Sequence, residues 1–377
     1  MTISAGGDGP WVISTHADAR VLLASASTYV PADTGLSGPR GASPAEMLVE
    51  RGSHLRGLWM WGCATDRRIP CRKAAAAALG PGPVGQLSPY LRTRAAALLD
   101  AGGQEDEIDL VAGFARPLVR DALMELFGIP PSRRESLEMQ VGAMAGFVPG
   151  HAGNGTSRYF ALAATARLIE DIWSKPLPPL AGASQHLRNA VETGALSLDE
   201  ALAQATLLLF GNSYTTLDAL TGLLARMADE PDLWQAARAG AVPAAGLVEE
   251  SLRLGPPTHL TLYRQSVAPI DCPGGTIPAG CRIDLPLDRI NRDPARFEDA
   301  ERFDPGRSGP PHLAFGAGRH MCVGLHLARA VIQTGVESLL SRLPEWPSET
   351  RVDRAAGILG GPSVIALTLP AESLHAC

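Results

Sequence analysis

The longest apolar pattern in the sequence begins after Ser197. Ser197 and Glu200 have the spacing of a capping box, in which a serine caps the first turn of a helix and a glutamate three residues later caps the serine in return. The residues that follow are apolar on nearly every side as far as about Met227. A helix that is apolar all round is usually buried in the core of a large protein. The sequence therefore predicts a long central helix that begins at Ser197.

Polar residues interrupt the middle of this helix. Residues 211–216 read Gly-Asn-Ser-Tyr-Thr-Thr. Glycine alone costs about 1 kcal/mol relative to alanine inside a helix. Such an interruption indicates either close packing against a neighbouring element or a functional role.

Further helical patterns lie on both sides of the central one. Residues 66–79 and 84–127 each favour a helix, and residues 132–196 hold several helices separated by glycine and proline. Residues 244–254 form another, in which Glu250 and Arg253 share one face because they are three positions apart. Most of the chain is therefore expected to be α-helical.

Short segments with a strand-like pattern occur at residues 11–14, 276–280 and 282–285. Residues 1–9 are rich in glycine and are expected to be loose. Residues 31–65 are rich in proline, glycine and serine, which favours an irregular loop. The expected fold class is mainly α with a small β component.

A second stretch carries the chemistry. Residues 315–324 read Phe-Gly-Ala-Gly-Arg-His-Met-Cys-Val-Gly and lead into an apolar helical pattern. Backbone N–H groups at a helix start have no partner inside the helix, and the helix dipole is positive there, so Cys322 is placed to ionise and to bind a metal. Glycines leave room for a large flat group against the backbone. One thiolate beside a planar group suggests haem, because zinc and iron–sulfur sites need several cysteines.

Composition narrows the class of protein. The chain has 377 residues, of which 45% are apolar and 19% are charged, as in an ordinary globular protein. A net charge of −6 argues against a nucleic-acid binder. No apolar run reaches the roughly 18 residues that a transmembrane helix needs. The six cysteines contain no CxxC pair, and the first residues do not resemble a signal peptide, so we expect a cytoplasmic protein in which the cysteines other than Cys322 are reduced.

The pattern Phe-Gly-x-Gly-x-His-x-Cys-x-Gly at residues 315–324 resembles the haem-binding loop of the cytochrome P450 family. The resemblance implies a single helical domain over residues 1–377, with haem b as the cofactor and Cys322 as its axial ligand. Members of the family usually have more residues before the first strand. The N-terminus is therefore shorter than usual, which puts the small β-rich lobe in doubt.

The resemblance also implies the other haem contacts. Arg68 occupies the place of a family histidine, and Arg72 matches an arginine one turn later. Residues four apart lie on one side of a helix, and arginine suits the geometry of a carboxylate, so both are expected to bind haem propionates. The remaining expected contacts are Arg264, Phe315, Gly316, His320 and Gly324.

Residues 211–216 match the family motif Ala/Gly-Gly-x-Asp/Glu-Thr-Thr, in which Thr215 takes the place of the threonine that handles dioxygen. Asn212 replaces a glycine, and Tyr214 replaces the acid that relays protons. Tyrosine is a poor relay because its unperturbed pKa is roughly 10. Three interpretations stay open: Tyr214 points away while Ser213, Thr215 and water relay protons; the reaction is a coupling, rearrangement, desaturation or peroxide-driven step; or the chain is a non-catalytic haem-binding helper.

Two further sets of residues follow from the resemblance. Glu250 and Arg253 match a structural ion pair of the family, for which Arg302 would be the third partner. The expected substrate-binding residues are Leu207, Phe210, Gly211, Leu260 and Ile358. The resemblance also implies that residues 31–65 lie over the haem and help to select the substrate, as an alternative to an irregular surface loop.

The function implied by the resemblance is that of a monooxygenase. Its expected substrate is a small-molecule intermediate of bacterial specialised metabolism, free or attached to a carrier protein. Electrons are expected from a ferredoxin and a ferredoxin reductase, which would dock on a basic face around Arg67, Lys73, Arg319 and Arg329. No nucleic acid and no membrane are expected as partners.

Overall fold

The computed structural model describes residues 3–5, 9–29, 43–102, 107–147, 155–258, 264–309, 311–353 and 362–368. Its helices, in chain order, are α1 (His16–Ala24), α2 (Pro44–Gly57), α3 (Thr65–Ala78), α4 (Pro81–Gly102), α5 (Arg116–Leu126), α6 (Pro131–Ala143), α7 (Ser157–Trp173), α8 (Gly182–Glu192), α9 (Leu198–Asp229), α10 (Pro231–Arg238), α11 (Ala244–Leu254), α12 (Leu287–Ile290) and α13 (Leu325–Arg342).

The strands are short, with two to five residues each. They are β1 (Ile3–Ala5), β2 (Trp11–Ile13), β3 (Thr28–Tyr29), β4 (Glu107–Asp109), β5 (Arg264–Ser266), β6 (Ile270–Cys272), β7 (Gly275–Ile277), β8 (Arg282–Asp284), β9 (Thr350–Asp353) and β10 (Val364–Thr368). The fold is mainly α with a small β component, as the sequence predicts.

Helix α9 forms the centre of the fold. Ser197 Oγ accepts a hydrogen bond from the Glu200 N–H at 3.2 Å, and the Glu200 carboxylate accepts one from the Ser197 N–H at 2.8 Å, so the capping box is complete. Apolar side chains along the helix, such as Leu209 and Leu220, are fully buried. Each such leucine contributes about 1.5–3 kcal/mol. Helices α5, α7, α8, α11 and α13 pack around α9, which makes it the frame that positions the site.

The β-rich lobe, which the sequence analysis put in doubt, is present. Its sheet has the strand order β1-β2-β8-β5-β3, in which β2 and β8 are parallel and the other pairs are antiparallel. Strand β1 pairs with β2, with Ile3 opposite Ile13. The expectation of loose residues at 1–9 is therefore wrong for residues 3–5, because their backbone groups find partners in β2.

Helix α2 corrects the expectation of an irregular loop at residues 31–65 for residues 44–57, while residues 31–42 lie outside the described residues. Ser43 and Glu46 form a second capping box, with hydrogen bonds of 3.3 and 3.0 Å, and Pro44 occupies the first helical position. Helix α2 packs against α7 at Gly52, where an added Cβ would lie 1.9 Å from the carbonyl oxygen of Tyr159. The Ser-Pro-x-Glu spacing carried a helix signal that the composition of the segment concealed.

The pattern expected to be helical at residues 84–127 is divided in the structure. Helix α4 is followed by β4, by a π-helical segment from Leu110 to Ala115, and by α5. The Asp109 carboxylate accepts a hydrogen bond from the Val111 N–H at 2.8 Å and starts the new helical segment. Strands β4, β10 and β9 form a three-stranded antiparallel sheet.

Within the described residues, no helix combines the length and the apolar character that crossing a membrane requires.

Candidate active site

A cavity of about 270 Å³ lies between α3, α9 and the loop that contains Cys322. Its lining combines this thiol with basic side chains on α3 and β5 and with small residues on α9. A larger groove of about 1090 Å³ lies between α2, α6 and α7, but its lining contains neither cysteine nor arginine. The candidate chemistry is therefore concentrated in the smaller cavity.

The loop before α13 holds Cys322 by its backbone. The Cys322 N–H donates to the Phe315 carbonyl at 2.8 Å, which closes the loop. Gly316 and Gly318 both have φ of +66°, a conformation that side chains other than glycine rarely adopt. At Gly318 an added Cβ would also lie 2.5 Å from the carbonyl oxygen of Leu23. The loop can therefore keep this shape only with glycine at these positions.

The acidity of Cys322 differs from the sequence-based expectation. Burial raises the pKa of the Cys322 thiol, and this effect outweighs the backbone N–H groups of Gly324 and Leu325 and the nearby charges of Arg72 and Arg329, which lower it. The helix start does act in the expected direction, but the protein packed around the cavity to which Cys322 is exposed has the larger effect.

Basic side chains dominate one part of the cavity, which we call the basic wall. Arg68, Arg72, Arg264, Arg319 and His320 line it, and the described lining includes neither aspartate nor glutamate. Burial and the four arginines lower the pKa of His320 to about 4. Burial, together with Arg319, lowers the pKa of Arg264 to about 10. Among the described lining residues this part of the cavity has an excess of positive charge, which a bound anion would balance.

Two polar atoms at this wall support the same conclusion. His320 Nε2 and Arg319 Nε are buried and have no hydrogen-bond partner among the described residues. A buried polar atom without a partner costs roughly 1–3 kcal/mol. Carboxylates suit guanidinium groups particularly well. Haem, with its two propionates and an iron that accepts a thiolate, therefore fits the residues present.

Helix α9 presents three of its interrupting residues to the cavity, namely Gly211, Asn212 and Thr215. Thr215 Oγ1 donates to the Gly211 carbonyl at 2.6 Å. Asn212 Nδ2 donates to the Leu208 carbonyl at 2.8 Å. An added Cβ at Gly324 would lie 2.0 Å from Asn212 Oδ1. The amide that replaces the family's glycine is thus packed against the Cys322 loop.

Ser213 and Tyr214, both predicted to be catalytic, lie elsewhere. They line a recess of about 30 Å³ together with Arg120 and Glu138 on the outer side of α9. Each helical residue turns by about 100°, so positions 213 and 214 lie roughly 150° and 110° from the centre of the face formed by positions 211, 212 and 215. Burial raises the pKa of Tyr214. The structure therefore separates both residues from Thr215: Tyr214 points away from the cavity, as the first interpretation has it, whereas Ser213 does not lie beside Thr215 as that interpretation requires.

The predicted substrate-binding residues also divide. Leu207 and Gly211 line the cavity. Phe210 does not, because its ring stacks on Trp59, with 5.6 Å between the ring centroids. Leu260 and Ile358 lie outside the described residues.

Met60 and Trp61, which are not among the predicted substrate-binding residues but belong to the segment 31–65, also line the cavity. The indole Nε1 of Trp61 is buried without a hydrogen-bond partner among the described residues. The apolar residues scattered through the proline- and glycine-rich segment were the only signal for this wall.

The ion pair on α11 is buried, with Arg253 Nη2 at 2.7 Å from Glu250 Oε1. The prediction of Arg302 as the third partner is wrong. Arg302 contributes only its backbone carbonyl, which accepts from Arg253 at 3.0 Å, while its side chain is exposed. Arg307 takes the predicted role, with its Nε at 3.1 Å from Glu250 Oε1.

Two cations of the predicted basic face are already paired. Arg67 forms a salt bridge with Glu200 at 2.6 Å, and Arg329 forms one with Glu249 at 2.6 Å. Lys73 on α3 is exposed. The net positive charge of this face is therefore smaller than the sequence indicates.

Comparison with known proteins agrees with this geometry. The sequence model of the Cytochrome P450 family matches residues 245–352. Cytochrome P450 monooxygenase PikC of Streptomyces venezuelae is 32% identical over 345 residues, which covers 90% of this chain and 79% of the relative. The biotin biosynthesis cytochrome P450 of Bacillus subtilis is 29% identical over 276 residues, covering 72% of this chain and 70% of the relative.

Solved structures share the fold. P450BioI in complex with hexadec-9Z-enoic acid ligated acyl carrier protein matches with a TM-score of 0.82 and 23% identity, over 98% of this chain and 95% of that chain. Epothilone B-bound cytochrome P450epoK matches with a TM-score of 0.82 and 19% identity, over 98% and 94% of the two chains.

Proposed function

The chain belongs to the cytochrome P450 family of monooxygenases, and on this premise we propose that it hydroxylates or otherwise oxidises a small-molecule intermediate of bacterial specialised metabolism with O2. The observation that carries the proposal is that Cys322, the basic wall and Thr215 all line one cavity. Relatives such as the erythromycin C-12 hydroxylase of Saccharopolyspora erythraea, 28% identical over 353 residues, support the substrate class.

The family implies a haem cofactor, and we assign haem b. When bound, it supplies the iron at which dioxygen is activated. Cys322 would hold the iron through its thiolate. Arg68, Arg72, Arg264 and His320 would hold the propionates, and the glycines of the loop would leave space for the flat ring. Arg72 already donates from Nη2 to the Met321 carbonyl at 2.6 Å, so the same side chain would join the propionate to the Cys322 loop.

Thr215 is proposed to control protons in the cavity. Its hydroxyl donates to the Gly211 carbonyl, and rotation about the Cα–Cβ bond would redirect the O–H towards the cavity. Tyr214 lies on another side of α9 and is not needed for this step. Its position supports a conventional oxidation in which water and Thr215 deliver protons, and gives no support to an atypical reaction.

Electrons are proposed to come from a ferredoxin and its reductase, and the protein is proposed to act in the cytoplasm. The substrate is proposed to be a polyketide, terpenoid or amino-acid-derived scaffold, free or tethered to a carrier protein. The carrier-bound fatty acid in the P450BioI structure supports the tethered form as one case to test.

An optical titration of the ferric protein tests the proposal. Scaffolds of each class, free and carrier-bound, are added while the haem absorption band is followed. We expect one class to shift the band from low spin to high spin, and the same class to be converted to an oxidised product when reduced ferredoxin is supplied. Product from no class, in a protein whose reduced carbon monoxide complex has a thiolate-type spectrum, would favour the helper function instead.

A parallel assay distinguishes a reaction driven by hydrogen peroxide from one driven by ferredoxin and O2. The same substrate is supplied either with reduced ferredoxin and O2 or with hydrogen peroxide alone. The proposal requires the ferredoxin route to be the faster one. Faster turnover with peroxide would identify a peroxygenase.

A further inference from the structure

Three polar side chains that the proposed oxidation does not use meet beside the Cys322 loop. Arg329, in the second turn of α13, makes two hydrogen bonds to the Glu249 carboxylate of α11: Nε donates to Oε1 at 2.6 Å, and Nη2 donates to Oε2 at 2.7 Å. His312 Nε2 lies 3.3 Å from Oε2 of the same carboxylate. His312 Nδ1 accepts from the Ala314 N–H at 3.1 Å, so the proton of the neutral ring lies on Nε2 and faces Glu249. One carboxylate therefore holds two side chains.

Both of these side chains contact the ring of Phe315. The guanidinium carbon of Arg329 lies 4.6 Å from the ring centroid, and the ring centroids of His312 and Phe315 are 6.0 Å apart. A cation above an aromatic face is attracted to it. Phe315 lines the cavity, and its carbonyl accepts the Cys322 N–H at 2.8 Å. The network of Glu249, Arg329 and His312 is therefore connected to the thiol loop through Phe315.

The network places two opposite charges near the sulfur. Burial raises the pKa of Glu249, but hydrogen bonds from Arg329 and His312 outweigh burial and lower this pKa to about 2, so the carboxylate is ionised at neutral pH. Burial also raises the pKa of the Cys322 thiol, and the charge of Arg329 is among the effects that oppose this rise. The guanidinium therefore acts electrostatically on the sulfur, and the Glu249 carboxylate partly cancels its effect.

We propose that Arg329 and Glu249 are positioning residues that set how readily the bound haem accepts an electron. This inference rests on the haem assigned under the proposed function. One added electron makes the iron and its thiolate more negative by one charge, so a nearby cation favours the reduced form and a nearby anion disfavours it. Arg329 supplies the cation. Glu249 holds the guanidinium against Phe315 and limits its effect, in the way that groups around a metal ligand tune the metal.

Reduction potentials of the haem-loaded protein test the proposal. The wild type, Arg329→Gln, Glu249→Gln and the double variant are titrated electrochemically while the haem absorption band is followed. At the wild-type midpoint, we expect Arg329→Gln to raise the ratio of ferric to ferrous protein about fivefold and Glu249→Gln to lower it by a similar factor. For a one-electron couple, this factor corresponds to roughly 40 mV. The double variant should lie near the wild type, because it lacks both charges.

A matched control is present at the far end of α9. Arg226 is paired with Glu230 at 2.5 Å, its guanidinium carbon lies 4.8 Å from the Phe303 ring centroid, and its side chain is 35% exposed, as is that of Arg329. Arg226 is not among the described residues that line the cavity. Arg226→Gln should therefore leave the potential unchanged, which separates an effect near Cys322 from a general effect of losing an ion pair.

The directions of the shifts distinguish electrostatic tuning from simple support of the loop. Loosening of the loop would move both single variants in the same direction and the double variant further still, and that result would overturn the proposal. A shift in Arg329→Gln no larger than that in Arg226→Gln would also overturn it, and this comparison is decisive even if Glu249→Gln fails to fold.

The proposed function is tested separately in the same samples. Each variant should keep the thiolate-type spectrum of its reduced carbon monoxide complex, because the substitutions leave Cys322 in place. Absence of this spectrum from the wild type would refute the proposed function, whereas its presence without opposite shifts in potential would refute only the tuning role of Arg329 and Glu249.

Discussion

The Cys322 loop and the interrupted part of α9 face the same cavity but follow the family pattern to different degrees. Residues 315–324 keep each position of the motif, whereas residues 211–216 replace a glycine by Asn212 and an acid by Tyr214. In the loop, the backbone itself needs glycine, so a substitution changes the shape. A helix keeps its shape with most residues other than proline, so a substitution there chiefly changes the side chain that the helix presents to its surroundings. The sequence of the loop therefore indicates which cofactor binds, while the sequence of α9 indicates how this chain differs from its relatives.

The largest expected effect comes from removing the thiol at the cavity. Cys322→Ala should abolish both the thiolate-type spectrum of the reduced carbon monoxide complex and product formation, because no other thiol is among the described residues that line the cavity. Cys281→Ala is the matched control and should retain both. A thiolate-type spectrum in Cys322→Ala would mean that another cysteine binds the iron.

Two adjacent threonines on α9 give the next test. Thr215→Ala should lower product formation about a hundredfold, the lower end of what a positioned proton donor contributes, and should divert electrons to peroxide. Thr216→Ala should leave the ratio of product to electrons unchanged, because Thr216 is buried and does not line the cavity. Equal losses in the two variants would show that packing of α9, and not the Thr215 hydroxyl, is responsible.

The contact between the two regions can be broken and restored. Gly324→Ala should lower the free energy of unfolding by about 1–3 kcal/mol, because the new methyl group would overlap Asn212 Oδ1. Adding Asn212→Gly should restore most of this loss, which denaturant unfolding of the two single variants and the double variant can measure. Simple additivity of the two changes would mean that the amide and the loop do not interact.

The smallest expected effect belongs to Tyr214. Tyr214→Phe should change product formation by less than about twofold, because the hydroxyl lies in the recess near Gly142 and away from the cavity. Burial raises the pKa of Tyr214, so the phenol stays protonated to a higher pH than usual and is neutral near pH 7. The pH dependence of turnover should therefore be the same in both proteins. A loss as large as that of Thr215→Ala would place the phenol in proton delivery.

Much of the fold could be predicted from the sequence where the signal is local. The capping box at Ser197 and Glu200 is formed by the four residues that predict it. The glycines around Cys322 likewise predict the loop because each acts on its own backbone. The basic wall followed from the family resemblance, which places distant arginines together.

Other features depend on tertiary packing, which a single sequence does not reveal. The Phe210 side chain does not line the cavity because its ring packs against the rings of Trp59 and Phe147. Arg307 takes the place predicted for Arg302 because the chain between them turns, with the Arg307 N–H bonded to the Asp304 carbonyl at 3.0 Å. In both cases the local sequence pattern does not show which side chain reaches the site, and only the tertiary contacts decide it.

The described lining of the cavity contains no acidic residue, which has a consequence for the stability of the protein in the cell. Four guanidinium groups placed close together repel one another, and a bound dianion would reduce this repulsion. The folded state therefore gains stability by mass action as the cofactor concentration rises above its dissociation constant. Chains made while haem is scarce would remain the least stable and the most exposed to proteolysis, so the supply of cofactor would set the amount of this protein as well as its activity.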